Sequence, residues 1–314
     1  MVNNACMAHI YIYSPSGAVA DKAAFKRGVK FLQAQGHDVE VDPDALARDQ
    51  RFAGDDDTRL AAIGRAAASG ASVALTTRGG YGLSRLLHHL PYKALNKAVE
   101  KGTRFVGLSD FTAMQTAMLA QTGSITWAGP ALCEGFGAEE GPDEIMHACF
   151  DDLLQGQGEG TGWRLPVSDL KAHASLASAE GWGVDKALLW GGNLTVLTTL
   201  LGTPYWPEVK GGVLFLEDVN EHPYRIERTL TQLLHAGVLA RQKAVVLGRF
   251  TEYKPSPLDR GYKLQTVVDW LRAQLKVPVL TGLPFGHVPT KVLLPVGETV
   301  QLMVQNREAI LYWD

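Results

Sequence analysis

Arg104-Phe105-Val106-Gly107-Leu108-Ser109-Asp110-Phe111-Thr112 is the stretch on which the fold turns. An apolar, β-prone run ends at Gly107-Leu108, a serine follows, and Ala113 to Ala120 reads as helix. A serine between the tip of a strand and the mouth of a helix is held away from both elements. The first turn of such a helix has free backbone N–H groups that can face a developing anion. This is the setting of a nucleophile elbow without the second glycine of G-x-S-x-G. Serine is also a preferred helix N-cap, and that reading of Ser109 stands beside the first.

Outward from this stretch the chain alternates. His9 to Tyr13 reads as a strand that breaks at Ser14-Pro15-Ser16-Gly17. Ala20 to Gln35 reads as an amphipathic helix closed by Gly36, and His37 to Val41 as a second strand. Asp55-Asp56-Asp57-Thr58 reads as the acidic start of a helix running from Leu60 to Ala68, since negative charge suits a helix N-terminus. Val73 to Leu75 and Phe105 to Gly107 are the third and fourth strands. Strands alternating with helices imply a mostly parallel sheet covered on both faces.

Between those strands, Thr77-Arg78-Gly79-Gly80-Tyr81-Gly82 leads into a helix expected over Ser84 to Leu90. Glycines after a strand let backbone N–H groups approach a ligand closely. The stretch has neither a G-x-G-x-x-G register nor a Walker lysine, which excludes the common nucleotide loops. Gly156-Gln157-Gly158-Glu159-Gly160-Thr161-Gly162 is the clearest shift in composition. It is read as a domain boundary, giving an N-terminal domain over 1–155, a linker or crossover over 156–185 and a C-terminal domain over 186–314.

Beyond the boundary, Leu188 to Thr195 is expected to open a helix. Val213 to Val219 is a buried strand ending in Glu217-Asp218, and Tyr224 to Leu234 a helix. Ala244 to Gly248 is a strand, Leu264 to Leu275 a helix, and Phe285-Gly286-His287 a loop. Val292 to Trp313 alternates into strands around a turn at Gly297-Glu298. The fold class is therefore α/β: an open, mostly parallel N-terminal domain and a smaller C-terminal α/β domain.

Composition narrows the functions. In 314 residues, 46% are hydrophobic and 20% charged, as in an ordinary globular protein. A net charge of -3 gives no reason to expect nucleic acid or an anionic membrane as partner. No run approaches membrane-spanning length, and the N-terminus lacks a signal-peptide pattern, so a cytoplasmic location is expected. Cys6, Cys133 and Cys149 are too few and too scattered for a disulfide framework or a zinc site. No metal and no cofactor are expected.

A serine nucleophile needs a base within reach, itself oriented by a carboxylate. Of nine histidines, His88, His89, His147 and His235 lie in helical patterns, whereas His287 lies in a Gly-Pro-rich loop of the kind that mounts functional residues. Glu217 ends an apolar strand, where a charge is costly unless paired. A strand-end carboxylate reaching solvent is the other reading of Glu217.

Taken together, Arg78-Gly79-Gly80-Tyr81-Gly82, Gly107-Leu108-Ser109-Asp110-Phe111-Thr112, Trp190-Gly191-Gly192-Asn193-Leu194, Leu216-Glu217-Asp218-Val219 and Gly286-His287 resemble the LD-carboxypeptidases. These are the serine peptidases of the muramoyltetrapeptide carboxypeptidase type. The resemblance covers nearly the whole chain and implies Ser109 as nucleophile, His287 as general base and Glu217 as orienting acid. It implies an oxyanion hole from the N–H groups of Asp110 and Gly80, and a site in the interdomain cleft. Arg78, Tyr81 and Arg225 are assigned to substrate, although the two arginines read first as structural ion-pair residues. The implied substrate is a cytoplasmic muropeptide ending in D-alanine, consumed in peptidoglycan recycling, and the implied assembly is a homodimer. The family often has His-Gly-Pro where this chain has Trp127-Ala128-Gly129-Pro130, and Leu-Asp-Tyr where it has Leu90-Pro91-Tyr92. Two other readings remain. One is a self-immunity peptidase of the same superfamily that cleaves peptidyl- or aminoacyl-nucleotide antibiotics, with Trp127 or Trp182 stacking an adenine. The other is a non-catalytic protein that holds an anion at the Arg78 to Gly82 turn.

Overall fold

The structure is a computed structural model that describes residues 7–178 and 181–313; Cys6 lies outside the described residues. The chain folds into two compact units. One takes the chain up to Gly158 with Gly202–Pro207 and Pro289–Val296, and the other takes Glu159–Leu201, Glu208–Val288 and Gly297 onward.

In the first unit strands and helices alternate: β1 (His9–Tyr13), α1 (Lys22–Ala34), β2 (Asp38–Val41), α2 (Asp56–Ala68), β3 (Val73–Thr76), α3 (Tyr92–Glu100), β4 (Arg104–Gly107), α4 (Phe111–Thr122), β5 (Thr126–Ala128) and α5 (Glu144–Gln155). The second unit contributes β6 (Gly160–Arg164), α6 (Val167–Ala172), β7 (Trp182–Asn193), α7 (Leu194–Thr199), β8 (Val213–Val219), α8 (Pro223–His235), β9 (Ala244–Thr251), α9 (Leu264–Gln274) and β10 (Val279–Thr281). Next, β11 (Leu294–Val296) belongs to the first sheet, and β12 (Thr299–Gln305) and β13 (Glu308–Trp313) to the second.

The first sheet has the order β2-β1-β3-β4-β5-β11, parallel except for the last pair. Helices cover such a sheet on both faces, and β3 is accordingly buried at every residue. The core beneath α1 and α5 holds Ile10, Ile12, Phe25, Leu32, Val73, Val106 and Phe150. The order reverses at β1, so the loops leaving β1 and β3 diverge at a topological switch point, the usual ligand crevice of an open α/β sheet. Those loops are Ser14 to Gly17 and the glycine turn from Thr77. They are tied together, Ser14 Oγ to Thr77 Oγ1 at 2.6 Å and Gly17 N–H to Gly79 O at 3.1 Å.

The second sheet, β10-β9-β8-β7-β12-β13-β6, is mixed. Its β7 to β10 are parallel, whereas β12, β13 and β6 add antiparallel. In β12 and β13 buried and less buried residues alternate, the mark of strands with one face away from the core.

Three local expectations are corrected. Ser84 to Leu90 is not an α-helix but two 3-10 turns, Leu83–Arg85 and Leu87–His89. Leu90 precedes Pro91 and is extended at ψ 137°, as the proline ring demands of its predecessor. Leu188 to Thr195 is not the opening of a helix: β7 runs through to Asn193. Gly191 and Gly192 carry it at φ 136° and 134°, values open to glycine. A Cβ on Gly191 would collide with the carbonyl oxygen of Phe215. The stretch from 156 to 185, read as linker, contains β6, α6 and the start of β7. Gly156 is the left-handed cap of α5, and Gly160 to Arg164 pair with β13. Glycine-rich composition there signals an edge strand in which Gly160 lies against Leu311 and Tyr312.

Candidate active site

In the first unit the site begins with the backbone of Ser109. Its φ is 68°, a left-handed conformation that costs a non-glycine residue about 1–2 kcal/mol. The N-cap reading is corrected: α4 starts at Phe111 behind Asp110, and no side chain caps it. Ser109 itself stays partly exposed while Leu108 and Asp110 on either side are buried. A left-handed residue between strand and helix is how a nucleophile elbow lifts a side chain clear of both elements.

The glycine turn is in contact with this elbow. A Cβ on Gly79 would lie 2.5 Å from Ser109 Cβ and 2.8 Å from Ser109 Oγ, so any larger residue there would displace the serine. Gly80 and Gly82 have φ of 113° and 139°. Among the described residues, no backbone carbonyl outside the regular elements accepts from the Gly80 or the Asp110 N–H. The Asp110 side chain turns inward and is 2% exposed; its Oδ2 accepts the Leu83 N–H at 2.9 Å. Burial pushes its pKa above the usual carboxylate range, opposed by the Leu83 and Gly82 N–H groups and by the Arg59 guanidinium. Arg59 is itself fully buried behind Gly82, paired with Asp56 and facing the Phe52 ring.

In the second unit, β7 and β8 pair in parallel so that Asn193 stands beside Glu217. Glu217 is 0% exposed, which corrects the reading of a carboxylate reaching solvent. Its Oε2 lies 2.8 Å from His287 Nδ1, and its Oε1 accepts from Asn193 Nδ2 at 3.1 Å. Glycines make the room: a Cβ on Gly286 would sit 3.1 Å from Glu217 Oε2, and one on Gly248 would strike the carbonyl oxygen of Phe285 at 2.5 Å.

Asp218 points elsewhere. Its Oδ1 accepts from Asn193 Nδ2 at 2.9 Å, and its Oδ2 from the Thr195 N–H at 2.9 Å and the Thr195 hydroxyl at 2.7 Å. Burial raises its pKa against the help of Thr195, Asn193 and the Val219 N–H. Asn193 therefore holds both carboxylates with its amide nitrogen while its oxygen caps α7 through the Val196 N–H. That residue, quoted in its motif but given no role, carries a readable signal: asparagine between a strand and a helix is a preferred N-cap.

The residues expected at substrate are mostly occupied. Arg78 reaches Ala18 O at 3.3 Å and Glu134 at 3.8 Å. Arg225 is half-exposed, with Glu221 at 3.7 Å and its guanidinium over the Tyr224 ring at 5.8 Å. Tyr81 is 44% exposed beside Phe52 and Arg51. Of the tryptophans, Trp127 packs against the core of the first unit. Trp182 starts β7, eleven residues before Asn193, roughly 35 Å along an extended strand from the Glu217 end. Of the histidines set aside, His147 packs on Phe31 and Phe136, His88 is 3.4 Å from the Tyr205 hydroxyl, and His89 packs on His88. No group of three His, Cys, Asp or Glu side chains is placed to hold a metal ion among the described residues, and no helix there is long and apolar enough to cross a membrane.

Residues 10–129 match the LD-carboxypeptidase N-terminal domain, and residues 186–302 match the LD-carboxypeptidase C-terminal domain. The chain belongs to the LD-carboxypeptidase family. Family members are serine peptidases. A crystal structure of muramoyltetrapeptide carboxypeptidase from Oxalobacter formigenes is similar at 38% identity and a TM-score of 0.83, over 98% of this chain and 99% of that one. A probable murein peptide carboxypeptidase of Bacillus subtilis is 27% identical over 90% of this chain and 84% of its own. The microcin C7 self-immunity protein MccF, solved with glutamyl sulfamoyl guanosine, shares the fold at a TM-score of 0.82 and 23% identity, over 98% and 96% of the two chains.

Proposed function

We propose that this chain is a serine LD-carboxypeptidase that removes the terminal D-alanine from murein tetrapeptides, with Ser109 as nucleophile, His287 as base and Glu217 as the acid that orients it. The observation that carries the reading is the buried Glu217 carboxylate at 2.8 Å from His287 Nδ1. A carboxylate on Nδ1 fixes the ring and its tautomer, which assigns proton transfer to Nε2. The strained backbone of Ser109 supports the other half. The names of the Oxalobacter and Bacillus relatives support the substrate class.

In this reading His287 takes the Ser109 proton as Oγ attacks the carbonyl of the L-centre. The oxyanion is received by the N–H groups of Asp110 and Gly80. The tetrahedral intermediate collapses, the C–N bond breaks, and His287 returns its proton to the departing D-alanine amine. Water then repeats the sequence on the acyl-enzyme and frees the tripeptide and Ser109. A homodimer that works in cytoplasmic recycling of peptidoglycan completes the reading.

The test is stereochemical. Tetrapeptides ending in L-Lys-D-Ala or diaminopimelyl-D-Ala, and the same peptides ending in L-Ala, are followed by mass spectrometry as they lose the last residue. Inverting the leaving residue swings its carboxylate or its methyl out of place, and a misplacement of about 1 Å can cost around 100-fold. The D-Ala epimer is therefore expected to be cleaved about 100-fold faster. Equal rates discard the specificity, and cleavage of neither peptide turns the reading to a nucleotide-linked substrate.

A further inference from the structure

The glycine turn that touches Ser109 has no side chains of its own at Gly79, Gly80 and Gly82. Glycine leaves the backbone free to rotate, so Gly79 and Gly80 do not by themselves set the direction of the Gly80 N–H, and Tyr81 turns its side chain to Phe52 and Arg51. The turn is instead fixed at its ends. The Gly17 N–H holds Gly79 O at 3.1 Å, and the Asp110 carboxylate receives the Leu83 N–H at 2.9 Å. Asp110 follows Ser109 directly, so this second tie joins the turn to the elbow itself rather than to a distant element.

We propose that the Asp110 side chain is a positioning residue: by gripping the Leu83 N–H it holds the glycine turn in register with the Ser109 elbow, so that the Gly80 and Asp110 N–H groups converge on one oxyanion. The inference rests on the reading of Ser109 as nucleophile. Two further observations support it. Asp110 is 2% exposed, so water cannot substitute for its oxygens, and a buried polar group of this kind is costly unless it is fully used. Leu83, whose N–H Asp110 grips, is itself 0% exposed, so the tie is made out of water. One residue thus supplies one oxyanion donor through its backbone and aims the other through its side chain.

Asp110→Ala and Asp110→Asn in the full chain, beside Ser109→Ala, test this with the D-Ala-terminated tetrapeptide. Misaiming one oxyanion donor lowers kcat by about 10²–10³-fold, because the donor acts on the transition state and not on bound substrate. Asp110→Ala is therefore expected to lose that much in kcat with KM changed less than about threefold. Calorimetry is expected to give the same tetrapeptide affinity for Ser109→Ala and for Ser109→Ala/Asp110→Ala. The amide oxygen of Asp110→Asn can still accept the Leu83 N–H, so this variant recovers at least about tenfold of the loss. If Asp110→Ala does not fold, Asp110→Leu, which keeps the side-chain shape without an acceptor for the Leu83 N–H, decides instead: a kcat loss at unchanged KM supports the role, and an unchanged kcat overturns it. A loss confined to KM, or one that vanishes when rates are scaled to the folded fraction, also overturns it. An active Ser109→Ala would instead overturn the nucleophile reading. An inactive Ser109→Ala beside a fully active Asp110→Ala would remove only the positioning role.

Discussion

β4 and β8 each carry a buried apolar run into a pair of residues whose second member is aspartate, Ser109-Asp110 in the first unit and Glu217-Asp218 in the second. The two aspartates behave alike. Both are buried, both have pKa values raised by burial, and each grips a backbone N–H from a neighbouring segment, Leu83 for Asp110 and Thr195 for Asp218. The first members differ. Ser109 is lifted out of line by a φ of 68° and stays partly exposed, whereas Glu217 keeps its place in a strand and is 0% exposed. In the proposed reading the nucleophile has to reach a substrate, and Ser109 has that reach at the expense of one strained backbone dihedral. The orienting acid has to reach only a histidine, and Glu217 is removed from water instead. The cost sits in conformation in one unit and in desolvation in the other.

Replacing Ser109 tests the strained half and has the largest expected effect. Ser109→Ala should lower kcat by about a millionfold, the loss seen when a triad serine is removed, while tetrapeptide still binds by calorimetry. Activity within tenfold of the parent would end the nucleophile reading. Ser109→Gly should be as inactive as Ser109→Ala but more stable than it by about 1 kcal/mol in urea unfolding, since glycine is at ease at positive φ. Equal stabilities would show that no strain is stored at this residue and that the two pairs do not differ in the way described.

Glu217→Gln tests the desolvated half. The amide keeps the shape and can still meet His287 Nδ1, but it removes the negative charge that stabilises the imidazolium. The expected loss is about 10⁴-fold in kcat, smaller than that of Ser109→Ala. A loss of less than tenfold would leave the Glu217–His287 pair as a structural contact.

How much of this could be read in advance follows from the same contrast. Strands β3, β4 and β8 were legible because burial on both faces writes a continuous apolar run. The Asp55 helix start was legible because capping is local, and Asp55 does accept the Thr58 N–H at 2.8 Å. Glycine misled in two places: at Gly191-Gly192, where positive φ continues a strand, and at Gly160 to Gly162, where an edge strand needs no side chains. The ties from Asp110 to Leu83 and from Asp218 to Thr195 span 27 and 23 residues, and no local pattern reports which way an aspartate turns. The Glu217–His287 contact was legible from both sides: His287 lies in a Gly-Pro-rich loop and in a motif, and a charge ending an apolar strand calls for a partner.

Asp218→Asn gives the smallest expected effect and separates the neighbours most cleanly. Asp218 holds Asn193 and the start of α7 through its hydrogen bonds, whereas Glu217 holds His287. Asparagine can offer its one oxygen to the donors on one side only, Asn193 and Val219 or else Thr195, but His287 keeps its Glu217 partner, so kcat should fall by less than about tenfold, far short of the loss from Glu217→Gln. Its signature lies in stability against pH. Because burial raises the folded-state pKa of Asp218, folding favours its protonated form. The stability this contributes is fully present below the unfolded pKa and is lost as pH rises through the folded value. Asparagine mimics the protonated acid and has no such loss. Melting temperatures of parent and Asp218→Asn should therefore lie close together near pH 4, and the variant should gain on the parent as pH rises toward 7. A gap that stays constant, or that moves in the parent's favour, would mean that the bonds from Asn193, Thr195 and Val219 outweigh burial. A kcat loss as deep as that of Glu217→Gln would mean that the two carboxylates act as one unit.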